Sequence, residues 1–364
     1  MQAWRARSVV WLLPLVLVLA ACTASGSSAK PAQTTKLKVG WCSQIVTSAG
    51  APFYIAKEMG WLQEENLELE VLPIAGSTAC VQQTATGAVD VSLPSVEPIA
   101  IGRQPSKGIK TKIFYTAYQG NIYGIAVPVD SPIRELRDLK GKRIGVTSMT
   151  SGGAPVAKAL VSSVGLDPEA DVTLVVAGEG PETAAVLKNG QVDALSQFDT
   201  QYALVENAGL KLRQIRAPEF DAFPSNGFTA TDAWLQQNER AAIALGRSYA
   251  KGTIFAIANP EAAVKIFWKH NPDARPTGKS DEEALREGVN VLQARISNWK
   301  LEKAGVSKWG ENNVQNYANY IKYLSAQGLI TEPVKAEDVV TNQFIDQVNT
   351  FDPKKIEEAA RQWK

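Results

Sequence analysis

The sequence predicts an α/β protein of two similar lobes followed by a helical tail. Three observations carry this expectation. Short apolar strand patterns alternate with helical ones from Lys36 onward, two islands of sequence recur at a single spacing, and the pattern turns mostly helical after Thr231. Strands separated by helices, with glycine just past the helix ends, mark parallel βαβ units.

The first unit runs in order. "KLKVGWC" (36–42) reads as a strand, "PFYIAKEM" (52–59) as a helix closed by Gly60, and "LELEVLPI" (67–74) as an alternating strand. "TACVQQTAT" (78–86) is a helix closed by Gly87, and "VDVSL" (89–93) the next strand. The same order returns as "KRIGVTS" (142–148, strand), "PVAKALVSSV" (155–164, helix), "VTLVVAG" (172–178, strand), "ETAAVLKN" (182–189, helix) and "VDALSQF" (192–198, strand). "TSAGAP" at Thr47 to Pro52 recurs as "TSGGAP" at Thr150 to Pro155, and "GAVD" at Gly87 to Asp90 recurs as "GQVD" at Gly190 to Asp193, both 103 positions later. Two echoes at one offset, each at the same place in the strand–helix order, point to two lobes built to one plan. Beyond Thr231 apolar residues fall at spacings near 3 and 4, punctuated by Pro260 and Pro272. This tail reads as helices returning to the first lobe. The chain then crosses between lobes near Asn121 to Val127 and near Asn226 to Thr231. Lobe 1 is thus expected over 36–122 and 230–364, and lobe 2 over 123–229.

The N-terminal residues read as an address. The apolar run Val9 to Ala21 follows Arg5 and Arg7, as in a secretory signal, and is shorter than the roughly 20 residues a membrane-spanning helix needs. Its end, "LAAC" (Leu19 to Cys22), resembles the lipobox of bacterial lipoproteins, which implies cleavage after residue 21 and lipidation of Cys22. Residues 22–35, rich in Ser, Ala and Thr, would form a flexible tether. The protein is therefore expected outside the cytoplasmic membrane, held to it by lipid alone.

Removing residues 1–21 leaves 343, enough for two domains of ordinary size. The chain carries 38 basic and 37 acidic residues, a balance that gives no reason to expect a nucleic-acid partner. Besides Cys22 there are two cysteines, Cys42 and Cys80; in an oxidising compartment they could pair or remain as small buried thiols, and the sequence leaves both open.

The passages "APFYIAKEMGWLQEENLELEV", "TGAVDVSLPSVEPI", "LRDLKGKRIGV" and "GPETAAVLKNGQVDALSQFDTQYA", with the order of elements, resemble the solute-binding proteins of ABC importers. The similarity is to the branch known for nitrate, taurine, alkanesulfonates and the thiamine pyrimidine precursor. It implies a periplasmic-binding-protein type 2 fold, each lobe a mixed sheet flanked by helices, with ligand in the cleft between them. It further implies a monomer without cofactor or metal, delivering a small molecule to a permease and its ATPase. The same resemblance brings one enzymatic alternative, the pyrimidine synthases, which consume a histidine in the cleft. The single histidine, His270, falls in the helical tail, and no phosphate-binding loop, dinucleotide fingerprint or nucleophile elbow occurs, so an enzyme is not expected.

Loops at the carboxyl ends of parallel strands are where open α/β folds bind ligands. Those loops nominate Trp41 and Ser43, then Gly76, Ser77 and Thr78, Ser95, Tyr118 and Asn121, followed by Ser151, Gly152 and Gly153, and finally Phe198 and Asp199. Gly76 to Thr78 and Ser151 to Gly153 open helices, whose free N–H groups can donate to a ligand. Trp41 reads equally as a core cap, and Asp199 equally as the N-cap of "TQYALVENA". None of these loops contains Lys or Arg, which argues for a neutral or basic heteroaromatic ligand such as a pyrimidine rather than an anion. Taurine, alkanesulfonate or nitrate remains the alternative.

Overall fold

The computed structural model describes Gln2 and residues 34–363. The signal segment, Cys22 and most of the tether lie outside the described residues. No helix among the described residues is long and apolar enough to cross a membrane.

Among the described residues, ten strands form two sheets of five. The first contains β1 (Thr35–Trp41), β2 (Leu67–Pro73), β3 (Val91–Ser92) and β4 (Thr111–Thr116). The second contains β5 (Tyr123–Pro128), β6 (Lys142–Val146), β7 (Val172–Val176), β8 (Ala194–Phe198) and β9 (Leu212–Ile215). The chain then returns to the first sheet as β10 (Gly227–Thr231). The strand orders, β2-β1-β3-β10-β4 and β7-β6-β8-β5-β9, are the same pattern twice. In each, the second strand of the order pairs in parallel with both neighbours, Val39 of β1 facing Val71 and Val91, and Ile144 of β6 facing Leu174 and Ala194. Each is completed by one antiparallel strand, β10 or β5, and beyond it an edge strand, β4 or β9, that runs with the parallel set. In β1 the alternation is plain: Leu37 and Val39 are buried while Lys36 and Lys38 face solvent.

Helices cover both sheets. The first carries α1 (Ala51–Glu58), α2 (Ser77–Thr86) and α3 (Val96–Gly102), the second α4 (Gly153–Ser163), α5 (Pro181–Lys188) and α6 (Asp199–Asn207). The tail contributes α7 (Glu239–Ala258), α8 (Pro260–His270), α9 (Asp281–Trp299) and α10 (Val314–Ala326). The core of the first lobe is aromatic: the Tyr249 ring of α7 lies 5.0 Å from Phe53 of α1 and 4.9 Å from Phe228 of β10.

Two features differ from the sequence expectation. The whole of β10 pairs in the first sheet, so a boundary between residues 229 and 230 would cut a strand and the second crossing ends before Gly227. The tail also does more than return to the first lobe. Asn290 on α9 donates to Asn207 of α6 at 2.8 Å, and Asn207 donates to the Glu287 carbonyl at 3.2 Å. Helix α9 therefore packs on the second lobe as well. The two crossing segments bind each other: the Asn226 carbonyl accepts from the N–H groups of Ala117 and Tyr118, both at 3.0 Å.

Candidate ligand-binding cleft

The carboxyl ends of the parallel strands in the two sheets face one another. Between them is a cavity of about 20 Å³ with Trp41, Ser43 and Tyr118 on one side and Tyr123 and Phe198 on the other, closed at the back by Asn226 and Arg295. Trp41 holds a double position. Its ring meets Phe53 edge-on at 6.5 Å in the core, its Nε1–H donates to the Ile45 carbonyl at 2.9 Å, and its remaining surface lines the cavity. Tyr123 and Phe198 contact edge-to-face at 5.8 Å.

The lobes touch across the cleft at two places. The Glu179 carboxylate, beyond β7, accepts from the Ser43 hydroxyl at 2.6 Å and from the N–H groups of Gln44 and Ile45 at 3.1 and 3.2 Å. At the second place the Thr78 N–H donates to the Thr150 carbonyl at 2.9 Å, and the Ser148 hydroxyl donates to the Ala75 carbonyl at 3.1 Å. Gly76, with φ of 107°, makes that approach possible, since a Cβ there would lie 2.5 Å from the Thr150 carbonyl group. A Cβ on Gly152 would similarly meet the Ser95 hydroxyl at 2.5 Å.

Behind the cavity stands a buried ion pair. Arg295 of α9 donates from Nη2 to Asp199 Oδ1 at 2.6 Å and from Nε to Oδ2 at 2.9 Å, and its guanidinium lies over the Tyr118 ring, 4.0 Å from the centroid. Burial works against the charged guanidinium, but the adjacent carboxylate more than offsets it and raises the Arg295 pKa. Asn298 Nδ2 and the Thr200 N–H donate to the same carboxylate at 3.0 and 2.7 Å. On the far side of the pair is a larger, polar cavity of about 550 Å³, whose walls include Asn121, Asp199, Gln214 and Asn298.

Comparison with known proteins gives this arrangement a family. The model of the NMT1/THI5-like family matches residues 48–263, more than half of the chain. The chain belongs to the NMT1/THI5-like family. Among its relatives, the riboflavin-binding protein RibY of Chloroflexus aurantiacus is 24% identical over 345 residues, covering 91% of this chain and 95% of that protein. The formylaminopyrimidine-binding protein of Halalkalibacterium halodurans is 22% identical, covering 92% and 98%. A 4-amino-5-hydroxymethyl-2-methylpyrimidine phosphate synthase of Candida albicans is also similar, 22% identical over 79% of this chain and 89% of that enzyme. In fold, the chain superposes on the alkanesulfonate-binding protein SsuA of Xanthomonas axonopodis with a TM-score of 0.62 at 17% identity, covering 85% of this chain and 99% of that one. The fold is that of the periplasmic binding proteins.

Within this family fold the nominated residues divide into three groups. Trp41, Ser43, Tyr118 and Phe198 line the small cavity. Asn121 and Asp199 line the larger one; Asn121 donates to the Phe220 carbonyl at 3.1 Å and accepts from the Tyr123 N–H at 3.0 Å. The glycine and hydroxyl loops line neither cavity; Ser77, Ser95 and Ser151 are buried, with partners of their own. Ser77 Oγ accepts from the Ser95 N–H at 3.0 Å and Ser151 Oγ donates to the Ser148 carbonyl at 2.7 Å, while Gly153 packs α4 against the Ser196 carbonyl of β8. Cys42 and Cys80 are joined in a disulfide with Cα atoms 5.8 Å apart, tying the loop after β1 to α2.

Two sequence expectations are corrected here. Asp199 is the first residue of α6, whose N-cap is Phe198, and its carboxylate serves Arg295 rather than acting as a simple cap. The cleft is also not free of basic side chains, because Arg295 reaches it from the tail. The inventory of strand-end loops missed Arg295 because it lies on a helix far along the chain. One local signal was present: Leu292, Arg295, Ile296 and Trp299 share the buried face of α9, and a cation on such a stripe demands a partner.

Proposed function

We propose that this protein is an extracytoplasmic solute-binding component of an ABC importer, capturing a flat, neutral heteroaromatic molecule between its lobes for a permease and its ATPase. The observation that carries the reading is the convergence of Trp41, Tyr118, Tyr123 and Phe198 on one cavity at the strand ends of both sheets. Aromatic faces favour a planar solute, and the hydroxyl and amide groups around them suit its hydrogen-bonding edge. The relatives named for riboflavin and for formylaminopyrimidine, each matched over more than nine-tenths of this chain, support the same ligand class. A basic ligand loses its support, because the Asp199 charge is matched by Arg295.

Capture requires the lobes to part at the Glu179 and Thr78 contacts and to close again with the cavity, about 20 Å³ here, widened around the ligand, so that a ligand touching both sides favours the closed state. The lobes would move about the paired crossing segments at 117–122 and 216–226, with Cys22 as lipid anchor and a monomer as the working unit. Binding without turnover suits the position of His270. Its Nε2 is 3.0 Å from the Glu58 carboxylate and its ring stacks on Tyr54, rather than lining either cleft cavity.

Thermal-shift titration of the purified protein tests the reading, using riboflavin, 4-amino-5-hydroxymethyl-2-methylpyrimidine, taurine and nitrate as probes, with mass analysis of each probe afterwards. One of the heteroaromatic probes is expected to stabilise the protein in proportion to its concentration and to be recovered unchanged. Preferential stabilisation by taurine or nitrate would overturn the ligand class, and a converted probe would revive the synthase alternative. Cys22→Ala should release the protein from the membrane fraction without altering the titration.

A further inference from the structure

We propose that Asp199 determines the charge selectivity of the cleft: by neutralising Arg295 it excludes oxyanions and leaves a site for uncharged solutes. The inference rests on the reading of this cavity as the ligand site. A guanidinium with 2% of its surface exposed, stacked on Tyr118 and lining a cavity, would by itself be a strong receptor for a sulfonate or carboxylate, because its planar fork matches two oxygens at once. That fork is already occupied. Nε and Nη2 both donate to Asp199, itself 9% exposed, and only Nη1 makes no hydrogen bond among the described residues.

Arg295 and Asp199 together carry no net charge. A second anion would either displace Asp199, stranding a buried carboxylate, or add uncompensated charge beside it. A carbonyl or ring nitrogen meets neither obstacle and can accept from Nη1. Of the charged groups beyond the pair, Asp221 is held by Arg216 at 3.0 Å and Glu206 shares its cavity with Lys303, while Glu179, bound to Ser43 and two N–H groups, adds negative charge that reinforces the exclusion of anions. Asn298 and Thr200 fix the carboxylate on the guanidinium, so the pair acts as one rigid wall of the site.

Calorimetric titration with ethanesulfonate and with ethylammonium, each against a chloride salt of equal ionic strength, tests this in wild type, Asp199→Asn, Arg295→Gln and the double variant. Wild type should bind ethanesulfonate more weakly than about 1 mM, and Asp199→Asn should bind it about tenfold tighter or better. The double variant should lose that gain, and Arg295→Gln should gain for ethylammonium instead. Submillimolar ethanesulfonate binding by wild type would overturn the proposal, as would a folded Asp199→Asn without gain or an equal gain in the double variant. Should Asp199→Asn fail to fold, Arg295→Gln carries the same test with the opposite probe, and the wild-type titration decides in any case. Failure of the heteroaromatic reading would appear with riboflavin and the pyrimidine, neither of which enters this experiment.

Discussion

The Ser43 hydroxyl donates to the Glu179 carboxylate at 2.6 Å, joining the loop after β1 of one sheet to the loop after the edge strand β7 of the other. With the Gln44 and Ile45 N–H groups on the same carboxylate, three hydrogen bonds to one charge hold the lobes together. Bonds to a charged group are worth about 1.5–3 kcal/mol when buried and less at this partly exposed site. Glu179→Ala should therefore move the balance toward the open form by about 1–2 kcal/mol, or roughly tenfold. X-ray scattering should record a larger radius of gyration, and riboflavin or pyrimidine affinity should fall. An unchanged radius would mean that the latch carries no weight in closure.

Trp41 is predicted to provide a stacking face. Because it also packs on Phe53, removal of the whole side chain would confound binding with stability, and graded variants separate the two. Trp41→Leu should weaken binding of a heteroaromatic probe by about 1–3 kcal/mol, the range seen where bases stack on aromatic side chains. Trp41→Phe should retain most of it. Equal affinities for the two variants would assign Trp41 to the core alone.

Glu97 gives a pH signature. It is 1% exposed, accepts from the Tyr320 hydroxyl of α10 through one oxygen, and has no partner for Oε2 among the described residues, so burial pushes its pKa above the ordinary 4.5. Below that value the carboxyl is protonated in both folded and unfolded chains. As pH rises past it, the unfolded chain ionises first, and stability is lost progressively up to the raised folded value. Glu97→Gln keeps an acceptor for Tyr320 but does not titrate. Its melting temperature should gain on wild type between pH 4.5 and pH 8; a constant gap across that range would show that Glu97 does not titrate differently on folding.

The two-lobe plan was legible because it is written in local sequence. Asp90 and Asp193, the 103-residue echo, do the same work in each lobe: the side chain accepts from the Lys38 N–H at 2.8 Å in one and from the Arg143 N–H at 2.8 Å in the other. In each case the Asp N–H also returns a bond to the carbonyl of that same strand residue. The second echo shares position but not role. Thr47 caps its own helical turn, whereas the Thr150 carbonyl accepts from Thr78 across the cleft. What local pattern could not show is which distant segments meet. Arg295 is 96 positions from Asp199, and Glu179 reaches Ser43 from a loop 136 positions away, a pairing no local pattern specifies. The aromatic walls were readable as strand-end residues, but the charge of the cleft depended on a tail helix that crosses to the second lobe.

Gly76 permits a final test of closure itself. Its φ of 107° is poorly accessible to other residues, and an added methyl would sit 2.5 Å from the Thr150 backbone of the opposite lobe. Gly76→Ala meets two costs: local strain of about 1–3 kcal/mol, present whether the cleft is open or closed, and a clash that arises only on closing. The first should lower the melting temperature in the absence of any probe. The second should reduce affinity and keep the radius of gyration large even at saturating riboflavin or pyrimidine. Gly87→Ala is the control for strain alone, because Gly87 also has a positive φ, 75°, yet nothing lies within 4 Å of an added Cβ. If both variants lose stability but only Gly76→Ala fails to contract on binding, the approach of Gly76 to Thr150 is part of the closing motion; equal contraction in both would show that the lobes close elsewhere.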